Sequence, residues 1–280
     1  MVQRMSVLAT MFLLVTAADA QVPRLELKVM TYNIRTMSIP DGRDNWYLRR
    51  SQVAKLIARE RPDLFGLQEA YTAQAAYLAR RLPDYEWFGP GRDNGKSLGE
   101  RCPIFYRRDR FELVAHGAFW LSETPDRPSR SWDAAFPRLV TWGKFRERAS
   151  GRELVYLNTH FDHLGEKARE MSARILLERA RALAGDLPII AGGDFNVSDE
   201  EEPYRIIVGE LRDSRLLAAA PGGPVGTTRD FPLDSRIGDR IDFIFVKPGI
   251  EVRSYRVLDD TYGRGRRPSD HLPVTVEVSL

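Results

Sequence analysis

Cysteine is almost missing from this sequence: Cys102 is the single thiol in 280 residues. An internal disulfide is therefore excluded, and so is a cysteine-rich zinc centre, which leaves packing to supply stability. Lysine is scarce as well, six against 36 arginines. Arginine is the fork-shaped donor suited to phosphate, but a GC-rich coding sequence gives the same bias, so the ratio alone decides nothing. No Gly-rich phosphate loop with its lysine is present, and no serine stands in a G-x-S-x-G elbow between strand and helix. Nucleotide-driven transfer and ordinary serine hydrolysis lose ground accordingly. The net charge of +3 falls short of a chain that coats nucleic acid. What is present, 43% hydrophobic and 29% charged residues with five Trp, ten Tyr and thirteen Phe, excludes disordered, collagen-like and coiled-coil chains.

Only one long apolar run exists, near the start. MVQRMSVLATMFLLVTAADA has Arg4, an apolar stretch from about Val7 to Val15, and Ala18-Asp19-Ala20 before Gln21. That is the layout of a secretory signal peptide over residues 1–20, too short to span a bilayer comfortably. The expectation is export to periplasm or medium, with a mature chain from about Gln21 that keeps 41 basic and 38 acidic residues. No transmembrane segment is expected in that mature chain, and it reads as a monomer with one domain over residues 21–280.

From Leu25 the pattern alternates as a strand requires. Trp46, Val53, Leu56 and Ile57 then fall at helical spacing over residues 46–60, and Arg61-Pro62-Asp63 stops that helix. A buried strand over 63–69 precedes a second helix, carried by Tyr71, Ala75, Leu78 and Leu82. Strands follow near 103–107, 111–121, 139–147 and 153–159, then a helix over about 165–184 with Ala168, Met171, Ile175, Leu176, Ala180 and Leu183 inward. Further strands are expected at 187–192, 240–247, 251–258 and 272–279. Strand–helix alternation mixed with strand pairs indicates an α/β class with two sheets and helices outside. The segments 89–99 and 259–269 read as long surface loops.

Most informative is where these strands end. Asn33 follows Met-Thr-Tyr, Glu69 closes DLFGLQE, and Asn158, His160 and His163 follow LVYL; Asp194 and Asn196 follow LPIIAGG, and Asp270 and His271 precede LPVTV. Turns collect Asn and Asp for their own backbone bonds, so one such case means little. Five cases at the rim of a sandwich would form a site for a hard metal and a phosphate, with magnesium, manganese or calcium favoured by the oxygen donors. Asp242 is sharper still: in RIDFIFV it reads as mid-strand on the face of Ile244 and Val246, where a carboxylate needs a partner. His271 is the functional candidate and Arg240 the structural one. His116 stands alone as a packing or surface residue. Phe119-Trp120-Leu121 reads as core strand rather than membrane anchor, and Cys102 as a packed strand residue without a redox role.

Taken together, TYNIR (31–35), LQE (67–69), NTHFDH (158–163), GGDFN (192–196), RIDFIFV (240–246) and SDHLPV (269–274) resemble the endonuclease/exonuclease/phosphatase superfamily. The similarity spans residues 26–280, and the intervening GRDNGK, GERCPIFYR and FWLSETPD look like an exported bacterial branch. The resemblance implies a four-layer α/β/β/α sandwich of two mixed, mainly antiparallel sheets flanked by helices. It implies a metal-dependent phosphoesterase with Mg2+, or Mn2+, held by Glu69, Asn33 and Asp270. Asp194 would orient and deprotonate the attacking water, Asn196 and His160 would hold phosphate oxygens, and His271, oriented by Asp242, would contact the scissile phosphate. Glu100 is implied behind His160, and His163 as a phosphate contact. Arg35, Arg264, Arg266 and Arg267 are candidate substrate contacts. Nucleic acid, a lipid head group, an inositol phosphate and a sugar phosphodiester all remain open as substrates, as diester or monoester. A catalytically silent phospholigand-binding member is the reading of another class, against which the intact constellation argues.

Overall fold

The computed structural model describes residues 24–232 and 234–280. The expected signal segment, residues 1–20, lies outside them. In chain order the strands and helices run β1 (Glu26–Asn33), α1 (Trp46–Glu60), β2 (Leu64–Gln68), α2 (Thr72–Arg81), β3 (Tyr85–Phe88), β4 (Ile104–Arg107), β5 (Phe111–Trp120), β6 (Leu139–Glu147) and β7 (Glu153–His160). They continue through α3 (Glu166–Ala184), β8 (Ile189–Asp194), α4 (Glu202–Val208), β9 (Arg212–Asp213), α5 (Ser214–Leu217), β10 (Asp242–Val246), β11 (Glu251–Val257) and β12 (Val274–Ser279).

Two six-stranded sheets result, ordered β11-β12-β1-β2-β4-β3 and β5-β6-β7-β8-β10-β9. Each contains one parallel pair, β1 with β2 and β7 with β8, among antiparallel neighbours. A parallel pair needs a crossover. Here α1 and α3 provide the crossovers, covering the outer faces of their sheets.

The apolar residues sort into three layers. Leu27, Val29, Tyr156, Ile190, Ile244, Val274 and Val276 fill the space between the sheets. Met30, Tyr32 and Phe65 pack outward against Val53 and Ile57 of α1 and Leu78 of α2. Val155, Leu157, Ala191 and Phe243 pack against Ala173, Leu176 and Ala180 of α3. The central strands are thus buried on both faces, which explains their near-continuous apolar runs and gives the four-layer sandwich. Ile57 is fully buried, and its truncation to Ala costs about 2–5 kcal/mol.

Several local expectations are corrected. The inward face of α3 is centred on Ala168, Ser172, Ala173, Leu176, Ala180 and Ala184, with Met171, Ile175 and Leu183 at its margin. Small residues let that helix sit close to the sheet. Asp242 opens β10 instead of lying mid-strand. Cys102 is buried as expected but precedes β4, and burial pushes its thiol up to about 12. The short elements β3, α4, β9 and α5 were not legible as elements: they are four, seven, two and four residues long.

Candidate active site

Strand register assembles the site. In the second sheet His160 stands opposite Asp194 across β7–β8, and Asp194 stands opposite Asp242 across β8–β10. Three adjacent strand ends therefore present an imidazole and two carboxylates in one row. In the first sheet Asn33 lies opposite Gln68 across β1–β2, with Glu69 the next residue. Asn33 joins the two rows, its Nδ2 donating to Glu69 Oε1 at 3.0 Å and to Asp194 Oδ2 at 2.9 Å.

The backbone is bent to allow this. Among the described residues five that are not glycine have positive φ, and three of them are Arg35 (56°), Glu69 (59°) and Asn196 (49°). Such conformations cost about 1–3 kcal/mol each and persist only where the surroundings hold them. The holding contacts are present. Thr36 N–H donates to Glu69 Oε2 at 2.8 Å, Arg35 N–H to Asn33 Oδ1 at 3.0 Å, and Asn196 N–H to Asp194 Oδ1 at 3.0 Å.

The Asp242–His271 pairing is found, with Nδ1 to Oδ2 at 2.9 Å. Arg240 turns away to Asp213 and Asp199, both at 2.7 Å. Thr227 Oγ1 also donates to Asp242 Oδ2, at 2.7 Å. His271 Nε2 is then aimed toward Asp194, 3.8 Å from Oδ2, while His160 Nε2 lies 3.5 Å from the same oxygen. The two histidines differ in charge for a physical reason. Burial opposes protonation of His271, but Asp242 and Asp194 outweigh it and raise its pKa well above 6.5. His160 is held well below 6.5 by burial and by Arg138 and Arg92, so it is neutral. Burial, followed by the like charge of Asp242, pushes Asp194 up to about 7.

The donors around Glu69 suit a hard divalent cation. Glu69, Asp194, Asp242 and Asp270 are four carboxylates facing His271 and Arg35, and burial raises the pKa of Asp270 despite both cations. The Glu69 and Asp270 carboxylates form an oxygen-rich pair that an added positive charge would relieve, and Asn33, whose Nδ2 donates to Glu69 and whose Oδ1 accepts from the Arg35 N–H, would offer an oxygen only with its amide turned over. Ligand atoms of Asp194, Asp242 and His271 also come within 4.8 Å of one another.

Other expected residues are placed differently. Glu100 does not hold His160; its carboxylate accepts from Arg92 Nη1 at 2.6 Å, although both it and His160 line one small cavity with Arg138. Arg267 is buried, donating to Asp259 at 2.7 Å and to the Pro232 carbonyl at 2.8 Å, and Arg266 pairs with Asp44. Both are engaged in holding their loop. Arg264 is exposed and makes no ion pair among the described residues. Arg35 reaches Asp270 at 3.2 Å and Asp41 at 3.1 Å. His163 is exposed beside Arg138, Nδ1 to Nη2 3.1 Å. Asn158 lies between the sheets, accepting from Gln68 Nε2 at 2.7 Å and donating to the Leu67 carbonyl at 2.9 Å. A β-carbon at Gly66 would meet it at 2.3 Å, so only glycine fits there. His116 packs on Phe88, ring centroids 4.9 Å apart, and Phe119, Trp120 and Leu121 are core. Gly95-Lys-Ser-Leu-Gly99 has the G-x-S-x-G spacing but lies in a loop folded around Asn94 Oδ1, with Ser97 exposed.

Two braces escaped the sequence reading. Thr227 gave no signal. Arg49 did: it falls between Trp46 and Val53 on the apolar stripe of α1. It is fully buried and donates to the carbonyls of Asp44, Ile34, Arg35 and Pro268 at 2.6–2.9 Å.

A profile of the Endonuclease/Exonuclease/phosphatase family matches residues 30–271. The chain belongs to this family. A family member of solved structure from Bacteroides thetaiotaomicron is 41% identical, covers 92% of this chain and 98% of its own, and superposes with a TM-score of 0.89. The mannosyl-6-phosphatase of Bacteroides thetaiotaomicron is also 41% identical, with 90% and 99% covered and a TM-score of 0.87. Nocturnin of Drosophila melanogaster is 24% identical over 208 residues, 66% of this chain and 31% of that protein. The chain spans 60% of another curated relative, an uncharacterized protein of Acanthamoeba polyphaga mimivirus. Family members are hydrolytic phosphoesterases and nucleases, and no described helix is long and apolar enough to cross a membrane.

Proposed function

We propose that this family member is an exported, divalent-metal-dependent phosphoesterase that releases phosphate from a small sugar phosphate. The observation that carries the reaction is the register row of His160, Asp194 and Asp242 facing Glu69 and Asn33, with the pKa of His271 raised by its carboxylates and that of His160 lowered by burial. Glu69 and Asp270, with Asn33 once its amide is turned, would hold a divalent cation, which would neutralise charge on the phosphoryl oxygens.

Asp194 takes a proton from the attacking water. Its pKa near 7 suits a general base at neutral pH. As the water oxygen bonds to phosphorus, the ester P–O bond opposite it breaks, the departing alkoxide takes a proton from solvent water to become an alcohol, and Asp194 returns its proton to the resulting hydroxide. Imidazolium Nε2–H of His271 donates to a phosphoryl oxygen, and Asp242 keeps that ring oriented and charged. Asn196 Nδ2 donates to the Phe161 carbonyl at 3.0 Å, which fixes its amide beside the reacting group.

The sugar phosphate reading draws on the mannosyl-6-phosphatase relative. The walls of the adjoining cleft agree with it: Arg240 and Arg169 pair with Asp199 and Glu201, but Glu200 and Asp239 leave the lining acidic, which disfavours a polynucleotide. The apolar run and small residues before Gln21 support export. The test is a screen of the purified chain with Mg2+ or Mn2+ against hexose 6-phosphates, inositol phosphates, sphingomyelin, glycosyl phosphodiesters, DNA and RNA. Fastest turnover of a hexose phosphate is expected; preference for DNA or RNA would overturn the sugar reading.

A further inference from the structure

Beside Asn196 the cleft has a volume of about 680 Å³, room enough for a sugar ring, and His163 stands in its wall. The imidazole of His163 is stacked on Phe136, ring centroids 5.9 Å apart and 15° from parallel. Phe136 is itself 46% exposed, and the guanidinium of Arg92 lies 4.8 Å from its centroid. Phe136 thus backs the imidazole of His163, which is the part of this rim that lines the cleft.

The chemistry of that rim is fixed from behind. Arginine only donates, so with Arg138 Nη2 at 3.1 Å, His163 Nδ1 must be the acceptor and the ring proton must sit on Nε2. Arg138 is 5% exposed and is oriented by Asp162, whose Oδ2 lies 3.4 Å from its Nε. Asp162 accepts backbone N–H bonds from Ala135 at 3.0 Å, Leu164 at 3.0 Å and Gly165 at 2.9 Å, so one carboxylate ties both loops of the rim together. Nη1 of Arg138 is buried and has no acceptor among the described residues, so a water or ligand oxygen would lower its cost.

We propose that His163, with its Nε2–H fixed by Arg138 and its ring backed by Phe136, is a subsite for the sugar ring of the substrate. The N–H donates to a hydroxyl or ring oxygen, Phe136 holds the imidazole from behind, and the Glu200 and Asp239 carboxylates of the cleft accept from the remaining hydroxyls. This assignment rests on the phosphoesterase reading and goes beyond it, because it concerns the leaving group and not the phosphoryl centre.

The test compares kcat/KM for mannose 6-phosphate with kcat/KM for 4-nitrophenyl phosphate, which has no sugar hydroxyls. His163→Leu is expected to lower the ratio of the two about tenfold, mostly through KM for the sugar phosphate, the scale of one lost hydrogen bond. His163→Gln, which can place an amide N–H near the same position, is expected to recover most of the ratio, and Phe136→Ala to lower it. An unchanged ratio in His163→Leu overturns the subsite, whether both substrates slow in parallel or neither does. Wild-type turnover of the aryl phosphate or an oligonucleotide, but not of the sugar phosphate, overturns it as well. Turnover of no phosphoester by the wild type would instead overturn the underlying phosphoesterase reading.

Discussion

Asp242→Asn isolates the charge behind His271 while keeping the shape. The asparagine can still accept from Thr227 Oγ1, which donates to Asp242 at 2.7 Å, so the fold should survive within about 1–2 kcal/mol. What is lost is the charge-assisted bond at 2.9 Å and the main attraction that holds His271 protonated against its burial. A hydrogen bond to a charged group contributes about 1.5–3 kcal/mol. With the loss of a charged donor at the phosphoryl group, kcat is expected to fall about 100- to 1000-fold, or about 2.7–4 kcal/mol of barrier. The pH profile should move too. Asp242 raises the pKa of both its neighbours, so without it His271 loses its proton at lower pH and Asp194 loses its own at lower pH. Both limbs of kcat/KM therefore shift toward acid. Steady-state rates on 4-nitrophenyl phosphate from about pH 5 to about pH 10 measure this. A variant with near-normal kcat, or one slowed with both limbs unmoved, would refute the reasoning.

Asp194→Asn should abolish turnover yet stabilise the metal-free protein at pH 8. A carboxyl with a folded pKa near 7 and an unfolded one of about 3.9 favours folding below about pH 4, a contribution lost as pH rises to about 7. Removing it should gain on the order of 1–3 kcal/mol, read as an increase in Tm of about 2–4 °C per kcal/mol; a lower Tm would contradict this. Arg49→Lys keeps the charge but not the fork that spans four carbonyls, two of them just after Asn33 and one two residues before Asp270. It is expected to raise the half-saturating Mg2+ concentration about tenfold; a lower Tm with unchanged Mg2+ dependence would leave Arg49 a purely structural role. Cys102, with its thiol pushed up to about 12, should resist a thiol reagent at pH 8 until the protein is denatured; rapid labelling of the native protein would contradict its burial.

Much of this site could be read from the chain because polar residues at strand ends break an apolar rhythm. Asp242 shows the strength of that signal: a carboxylate on the inner face of a strand demanded a partner, and His271 is that partner. Arg267 shows its weakness. Proximity in sequence to Ser269-Asp270-His271 suggested a ligand contact, but the loop folds back on Pro232 and Asp259 and buries it. Glu100, placed behind His160 by the resemblance, shares a small cavity with it but bonds to Arg92, and sequence carries no information on which of many arginines will compete for a carboxylate. Arg49 was legible in principle, a cation at helical spacing among Trp46, Val53 and Ile57. Thr227 and Arg138 were not, since their roles depend on loops whose paths no periodicity fixes.

The central claim is hydrolysis of a phosphoester by this constellation with a divalent cation at Glu69. Phosphate release from mannose 6-phosphate tests it most directly, measured on the purified chain after EDTA and again after Mg2+ or Mn2+ is restored, with Glu69→Gln in parallel. The expected result is loss on chelation, recovery with metal in the wild type, and weak recovery at much higher metal in Glu69→Gln. Release that is untouched by chelation, or a Glu69→Gln protein that recovers like the wild type, would contradict it.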